Sequence, residues 1–258
     1  MPALFVSHGS PMLLLEDGSA RRFLAGYATD LPRPRAILVA SAHWETPAPR
    51  LTAGAHPETI HDFGGFPPAL FRMRYPAPGD PALAERAAGL LRAAGLPADL
   101  DGRRGFDHGC WVPLSLIFPE ADIPVVQLSL QSHLGAEHHY RMGEALRPLR
   151  DDGVLIVGSG SLTHNLMLLQ RGAPEDQPPP AWALAFEQWI ADRVAAGDVA
   201  ALLDWRARAP NAAAAHPSDE HFLPFFVALG AALPGERGLR VHHSHTYAAL
   251  AMDAYAFS

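Results

Sequence analysis

The sequence predicts a single α/β domain built on a largely parallel sheet. Two observations carry that expectation. Short, continuously apolar runs rich in β-branched residues recur along the chain, as strands covered on both faces require. Stretches with helical spacing lie between them, and strands that alternate with helices make parallel sheets. The length, 258 residues, suits one large domain, which at that size hides roughly 70–75 % of its unfolded surface.

Residues 3–7 (Ala-Leu-Phe-Val-Ser) read as the first strand. Within 18–28, Arg21, Phe23, Leu24 and Tyr27 fall at helical spacing. Residues 36–42 (Ala-Ile-Leu-Val-Ala-Ser-Ala) give a second strand. Residues 56–80, with His61, Phe63, Gly64, Gly65, Phe66 and several prolines, read as a loop over a site. Residues 81–95 open on Pro81 and close on Gly95, the asymmetry helices prefer. Residues 106–113 (Phe-Asp-His-Gly-Cys-Trp-Val-Pro) read as a glycine-containing loop entering an apolar segment. Residues 124–130 and 153–158 are two more strands, and 135–150 and 181–196 are amphipathic helices. A second covering loop spans 171–180. A helix is expected over 219–232 with Ser218 or Asp219 as its cap, although Pro224 argues for a bend or a late start. Residues 238–257 supply two late strands.

Composition removes several classes of function. All 20 basic residues are arginine and the net charge is −7, so a Schiff-base lysine, a Walker lysine and a Ser-Lys dyad are excluded and nucleic acid is not an expected partner. The one cysteine, Cys110, allows no internal disulfide and no multi-cysteine zinc site. No apolar run reaches the roughly 18 residues of a membrane span, and the first residues lack the features of a secretory signal. A cytoplasmic protein with no membrane partner is expected.

Histidine is the anomaly, at 14 residues, and it is both the commonest metal ligand and the near-neutral acid–base group. His8 follows the first strand, His43 ends the second, and His164 follows the strand at 153–158. Ligands bind at the carboxyl ends of strands in open α/β sheets, so these three are expected to converge on one pocket. Asp107-His108 and His216-Pro217-Ser218-Asp219-Glu220-His221 are two further clusters. His138 and His139 read as solvated on a helix, and at most one of His242, His243 and His245 is expected to face a site. No His-Glu-x-x-His is present, and Gly158-Ser159-Gly160-Ser161 fails as a nucleophile elbow at its fifth position. A mononuclear metal held by several histidines fits best.

The ordered set Ser7-His8-Gly9-Ser10-Pro11, Ser41-Ala42-His43-Trp44-Glu45, Thr59 to Pro67 with His61-Asp62-Phe63, Asp107 to Leu114, Gly158 to Asn165 and His216 to Pro224 resembles the class III extradiol ring-cleavage dioxygenases. It is most similar to their DOPA extradiol group and spans nearly the whole chain. The resemblance implies a three-layer sandwich around a mostly parallel mixed sheet, one catalytic domain over 1–258. It implies His8, His43 and His221 as metal ligands, with His216 and Glu220 as rivals for the third position. It implies His164 as acid–base and His108 in contact with substrate or oxygen. Trp44, His61, Phe63, Trp111 and His216 are expected to bind substrate, and Phe66 joins the aromatic walls. Fe(II) is expected for activity, with Zn(II) possible in the purified protein, and a catechol and O2 are the expected partners. The same three-histidine set describes a hydrolytic zinc site, so a zinc hydrolase or amidase is the rival reading, and a non-catalytic binding protein is the third.

Overall fold

The computed structural model describes every residue except Glu175. The chain runs β1 (Ala3–Ser7), α1 (Ser19–Tyr27), β2 (Ala36–Glu45), β3 (Arg50–Thr52), α2 (Pro68–Arg72), α3 (Pro81–Ala93), β4 (Asp99–Asp101) and α4 (His108–Ile117). It continues through β5 (Val125–Leu130), α5 (Gly135–Leu146), β6 (Val154–Gly160), α6 (Ala181–Ala196), α7 (Val199–Leu203), α8 (Trp205–Arg208) and α9 (Ala212–Ala215). It ends with α10 (Leu223–Gly230), β7 (Gly238–His242), β8 (His245–Thr246), β9 (Leu250–Ala251) and β10 (Ala254–Phe257).

Eight strands form one sheet in the order β4-β3-β5-β2-β6-β1-β10-β7. Its centre, β5-β2-β6-β1, is parallel throughout, and antiparallel pairs at β3/β5, β1/β10 and β10/β7 extend it on both sides. Strand periodicity divides the buried side chains between two cores. Ala36, Leu38 and Ala40 of β2 face the core beneath α3, α5, α6 and α10, while Ile37 and Val39 face the core beneath α1 and α4. Helices on both faces of a mostly parallel sheet make the expected three layers. Because β1, β2 and β6 run the same way, their carboxyl ends open on one edge. His8, His43 and His164 lie there.

The structure corrects several expected elements. The helix expected over 219–232 starts at Leu223, with Pro224 in its first turn and no side-chain cap. Asp219 acts instead through its backbone carbonyl, which accepts from Phe222 and Leu223, while its carboxylate pairs with Arg206. The expected loop at 106–113 is a helix from His108 onward, because Asp107 caps it by accepting from Cys110 N. The helix over 135–150 tightens into a 3-10 turn at Arg147–Arg150, where Pro148 offers no N–H. His139 is not solvated but fully buried: its Nδ1 donates to Gly135 O and its Nε2 accepts from Gln131 N. The tail makes four strands rather than two, since the chain reverses through Tyr247 and Ala248 at positive φ and pairs β8 with β9 outside the main sheet. The loop over 171–180 contains no helix or strand among its described residues, and position 175 lies outside them.

Candidate active site

Five histidines from five segments meet at the carboxyl edge of the sheet. His8 is fixed by β1, His43 by the end of β2, His108 by the first turn of α4, His164 by the loop after β6, and His221 by the turn before α10. The approach depends on glycine. A Cβ at Gly160 would overlap the His221 carbonyl, and one at Gly109 would meet Ser41 Oγ at 2.5 Å and His43 Cδ2 at 3.0 Å. Backbone bonds lock the segments together: His8 N donates to Gly160 O, Ser161 N to His221 O, and His164 N to Ala215 O.

Three ring nitrogens converge. His43 Nε2 lies 3.0 Å from His8 Nε2 and 3.3 Å from His221 Nε2. For His8 and His221 the other nitrogen has a partner that fixes the tautomer. Ser159 gives its hydroxyl proton to Gly109 O, so it accepts from His8 Nδ1 at 3.0 Å. His221 Nδ1 donates to Glu220 Oε1 at 2.9 Å, and His43 Nδ1 lies 3.8 Å from Asp62 Oδ2. With Nδ1 protonated, the Nε2 atoms of His8 and His221 present lone pairs to the centre. Burial, reinforced by the neighbouring imidazoles, holds the pKa of both well below the ordinary histidine value. Burial and His108 bring His43 down to about 3, against the pull of Asp62. None of the three rings is therefore doubly protonated at neutral pH. Converging ring nitrogens, two of them with lone pairs turned to the centre, suit a cation. Metal–nitrogen arms of about 2.1 Å put adjacent ligands about 3.0–3.4 Å apart for angles between square and tetrahedral, so the residues fit an ion. The orienting hydroxyl and carboxylate are the outer partners such ligands use.

Two other trios compete. His8, His43 and His108 offer nitrogens all within 4.8 Å of one another, and two nitrogens of His164 and His221 with a Glu220 oxygen do the same. The His108 ring lies beside His43, 3.8 Å between centroids and tilted by 40°, with its Nδ1 3.0 Å from Asp62 Oδ2, while its backbone N–H donates to Asp62 Oδ1. His164 lies flat on His221, 3.4 Å between centroids and 10° from parallel. Burial lowers the His164 pKa, opposed by Glu220.

The histidines line a cavity of about 680 Å³. Phe63, Phe66, Met12, Leu169 and Leu250 supply apolar walls, and Glu16, Arg171 and Tyr247 also line it. This matches the usual form of a small-molecule site, apolar with a few convergent polar groups.

Of the aromatic and histidine side chains expected to touch substrate, Phe63 lines the cavity and four others stand behind its wall. Trp111 is fully buried and donates its indole N–H to Ile60 O, which holds the 59–67 segment in place. His61 lies in the same segment with Nε2 3.1 Å from Met73 O. Trp44 carries Arg104 over its ring at 5.2 Å, and that guanidinium donates to His43 O and Asp107. His216 is fully buried, donates from Nε2 to Leu162 O, and stacks on Phe222. That bond commits its Nε2 to Leu162 O, whereas His221 turns its Nε2 to His43. Asp62 and Ser159 carry no expectation from the sequence. Asp62 sits beside the more conspicuous His61, and a carboxylate next to an expected site loop is the signal that could have found it. Ser159 alternates into position only once the register of β6 is known.

Comparison with known proteins places these residues in a family. The model of the catalytic LigB subunit of aromatic ring-opening dioxygenase matches residues 2–258. A "4,5-DOPA dioxygenase extradiol" of Beta vulgaris is 42 % identical over 98 % of this chain and 95 % of its own. One of the same name from Escherichia coli K12 is 45 % identical over 90 % of this chain and 85 % of its own. A crystal structure of an uncharacterized Escherichia coli K12 protein superposes over the whole of both chains with a TM-score of 0.85 at 36 % identity. Strand ends, histidine cluster and full-length similarity agree: the chain belongs to the LigB family of aromatic ring-opening dioxygenases and is an extradiol ring-opening dioxygenase.

Proposed function

We propose that residues 1–258 form one catalytic domain that opens the ring of a catechol, DOPA-like or another catecholic compound, beside its two hydroxyl-bearing carbons with O2, giving a semialdehyde. The observation that carries this reading is the convergence of His8, His43 and His221 Nε2 atoms at 3.0 and 3.3 Å in the wall of a cavity. These three would hold Fe(II). When bound there, ferrous iron supplies the electronic link between the catechol and dioxygen. Three neutral imidazoles leave the ion's full charge uncompensated, so a substrate that loses protons on binding is favoured.

The rest falls to the chain's own groups. His164 is neutral near pH 7 because burial lowers its pKa, so an imidazole nitrogen can take the proton from a catechol hydroxyl. Its stacking on His221 fixes the ring plane. Asp62 anchors His108 through both its backbone N–H and Nδ1, leaving the imidazole edge in the cavity wall to donate or accept a hydrogen bond at the reacting oxygens. Phe63 and Phe66 give the ring an apolar slot and exclude water.

Anaerobic loading with Fe(II), followed by oxygen uptake and visible absorbance with a panel of catechols, tests the reading. Uptake with a yellow product, lost in His164→Ala and His43→Ala, is the expected result. A protein that binds iron but consumes no oxygen with any catechol would sink it.

A further inference from the structure

A second group of metal-ligating side chains lies away from the cavity histidines, at the free edge of the sheet. Glu187 on α6 is buried, 1 % exposed, and faces the β7–β8 corner. Its Oε2 lies 2.9 Å from His245 Nε2 and 3.8 Å from His243 Nδ1. One oxygen or nitrogen from each of these three residues falls within 4.8 Å of the others. Asp253, fully buried, lies 3.2 Å from the same His243 nitrogen.

Each histidine bonds a carboxylate, His245 to Glu187 and His243 to Asp253, and the balance of charge leaves room for a cation. The cluster contains two buried carboxylates, and among the described residues the guanidinium against them is Arg240, 3.4 Å from Asp253. The second negative charge is left to the half-exposed His243 imidazolium or to a cation that takes its place, and burying it alone is costly. Behind the cluster, Tyr255 is fully buried directly across the sheet from Arg240, whose guanidinium is turned toward its hydroxyl. Asp253, Arg240 and Glu187 are the charges around it. The cluster opens to the surface through a recess of about 430 Å³ lined by Glu187, Arg240 and His243, so an ion has a way in.

We infer that Glu187, His243 and His245 form a second site for a divalent cation of the zinc type, with Asp253 as its outer or fourth carboxylate. Imidazole nitrogens and carboxylate oxygens are the donors such an ion takes. The ion's place is structural. It joins α6 to the segment between β7 and β9, whose turn carries Tyr247 into the cavity wall.

Metal counting tests this without relying on activity. Metal-free protein is titrated with Zn(II) by calorimetry and, in parallel, with Co(II) by visible absorbance. Wild type is expected to take a second equivalent beyond the one held by the cavity histidines. His243→Ala, a half-exposed position where the fold should survive, and His245→Ala should each lose only that second equivalent. His8→Ala should lose the other and keep this one, which separates the two sites. A single equivalent in wild type that persists in His243→Ala and His245→Ala would overturn the proposal, as would a second equivalent that survives both substitutions.

Discussion

At the scale of single residues, the site turns on which imidazoles face the centre and which groups aim them. His221 and His108 both lie close to His43, but His221 presents Nε2 at 3.3 Å whereas His108 meets His43 ring against ring. His221→Ala should therefore lose the tightly bound metal along with activity. His108→Ala should keep the metal and lose turnover, a difference that metal analysis and oxygen uptake read together. Equal metal loss in both would move His108 among the ligands. Asp62 acts through others. Burial opposes its ionisation, but the hydrogen bond and charge of His108 prevail and hold its carboxyl down to about 2, so it remains an anion across the working range. Asp62→Asn removes that anion from beside two rings. Changes to such outer partners cost 10–100-fold in affinity or activity. The expected loss is of about that size in kcat, with the fold intact by circular dichroism. An unchanged kcat would remove Asp62 from the positioning of His108.

At the scale of elements, the site is a set of close approaches between backbone segments. The turn carrying His221 rests directly on β6 at Gly160, where a Cβ would meet the His221 carbonyl. Gly160→Ala must push that turn away. Overpacking of this kind costs about 1–3 kcal/mol, and His221 moves with it, so weakened metal binding should accompany a lower Tm. A variant that keeps both values would show that the turn yields elsewhere. This contact also marks the limit of what the sequence reveals. His8, His43 and His164 were legible because each follows a strand, and strand ends share one edge of a parallel sheet. His221 was legible only by resemblance, since its turn comes back from a helix start that Pro224 shifts to Leu223. The start of α4 was hidden because Gly109 and Pro113 read as loop, whereas the Asp107 cap and full burial override their propensities. Trp44, Trp111 and His216 are the aromatic and histidine types expected of a binding wall. Their placement behind it depends on side-chain direction, which spacing alone does not give.

At the scale of the whole molecule, buried histidines couple stability to pH. His139 on α5, and His216 among Phe186, Trp205 and Phe222, are each pushed down to about 3 by burial, against the bonds they make to Gly135 O and Leu162 O. In the unfolded chain each titrates near about 6.5. Between those values the unfolded state binds protons that the folded state refuses, so stability is complete above the unfolded value and falls as pH drops toward the folded one. By about pH 5 each residue should cost on the order of 2 kcal/mol. The cavity histidines act in the same direction when no metal is bound. His243 acts in the opposite direction, since its hydrogen bond to Asp253 raises its pKa, but it is 41 % exposed on its side chain and solvent weakens its contribution. Denaturant midpoints of metal-free protein should therefore fall steeply from about pH 7.5 to about pH 5. His216→Gln, whose amide can still donate to Leu162 O, isolates one share of that fall. The variant should lose stability at neutral pH yet show a smaller drop on acidification than the wild type. An identical drop in both proteins would mean that His216 is protonated in the folded state, and that the cage around it admits a charge its burial should forbid.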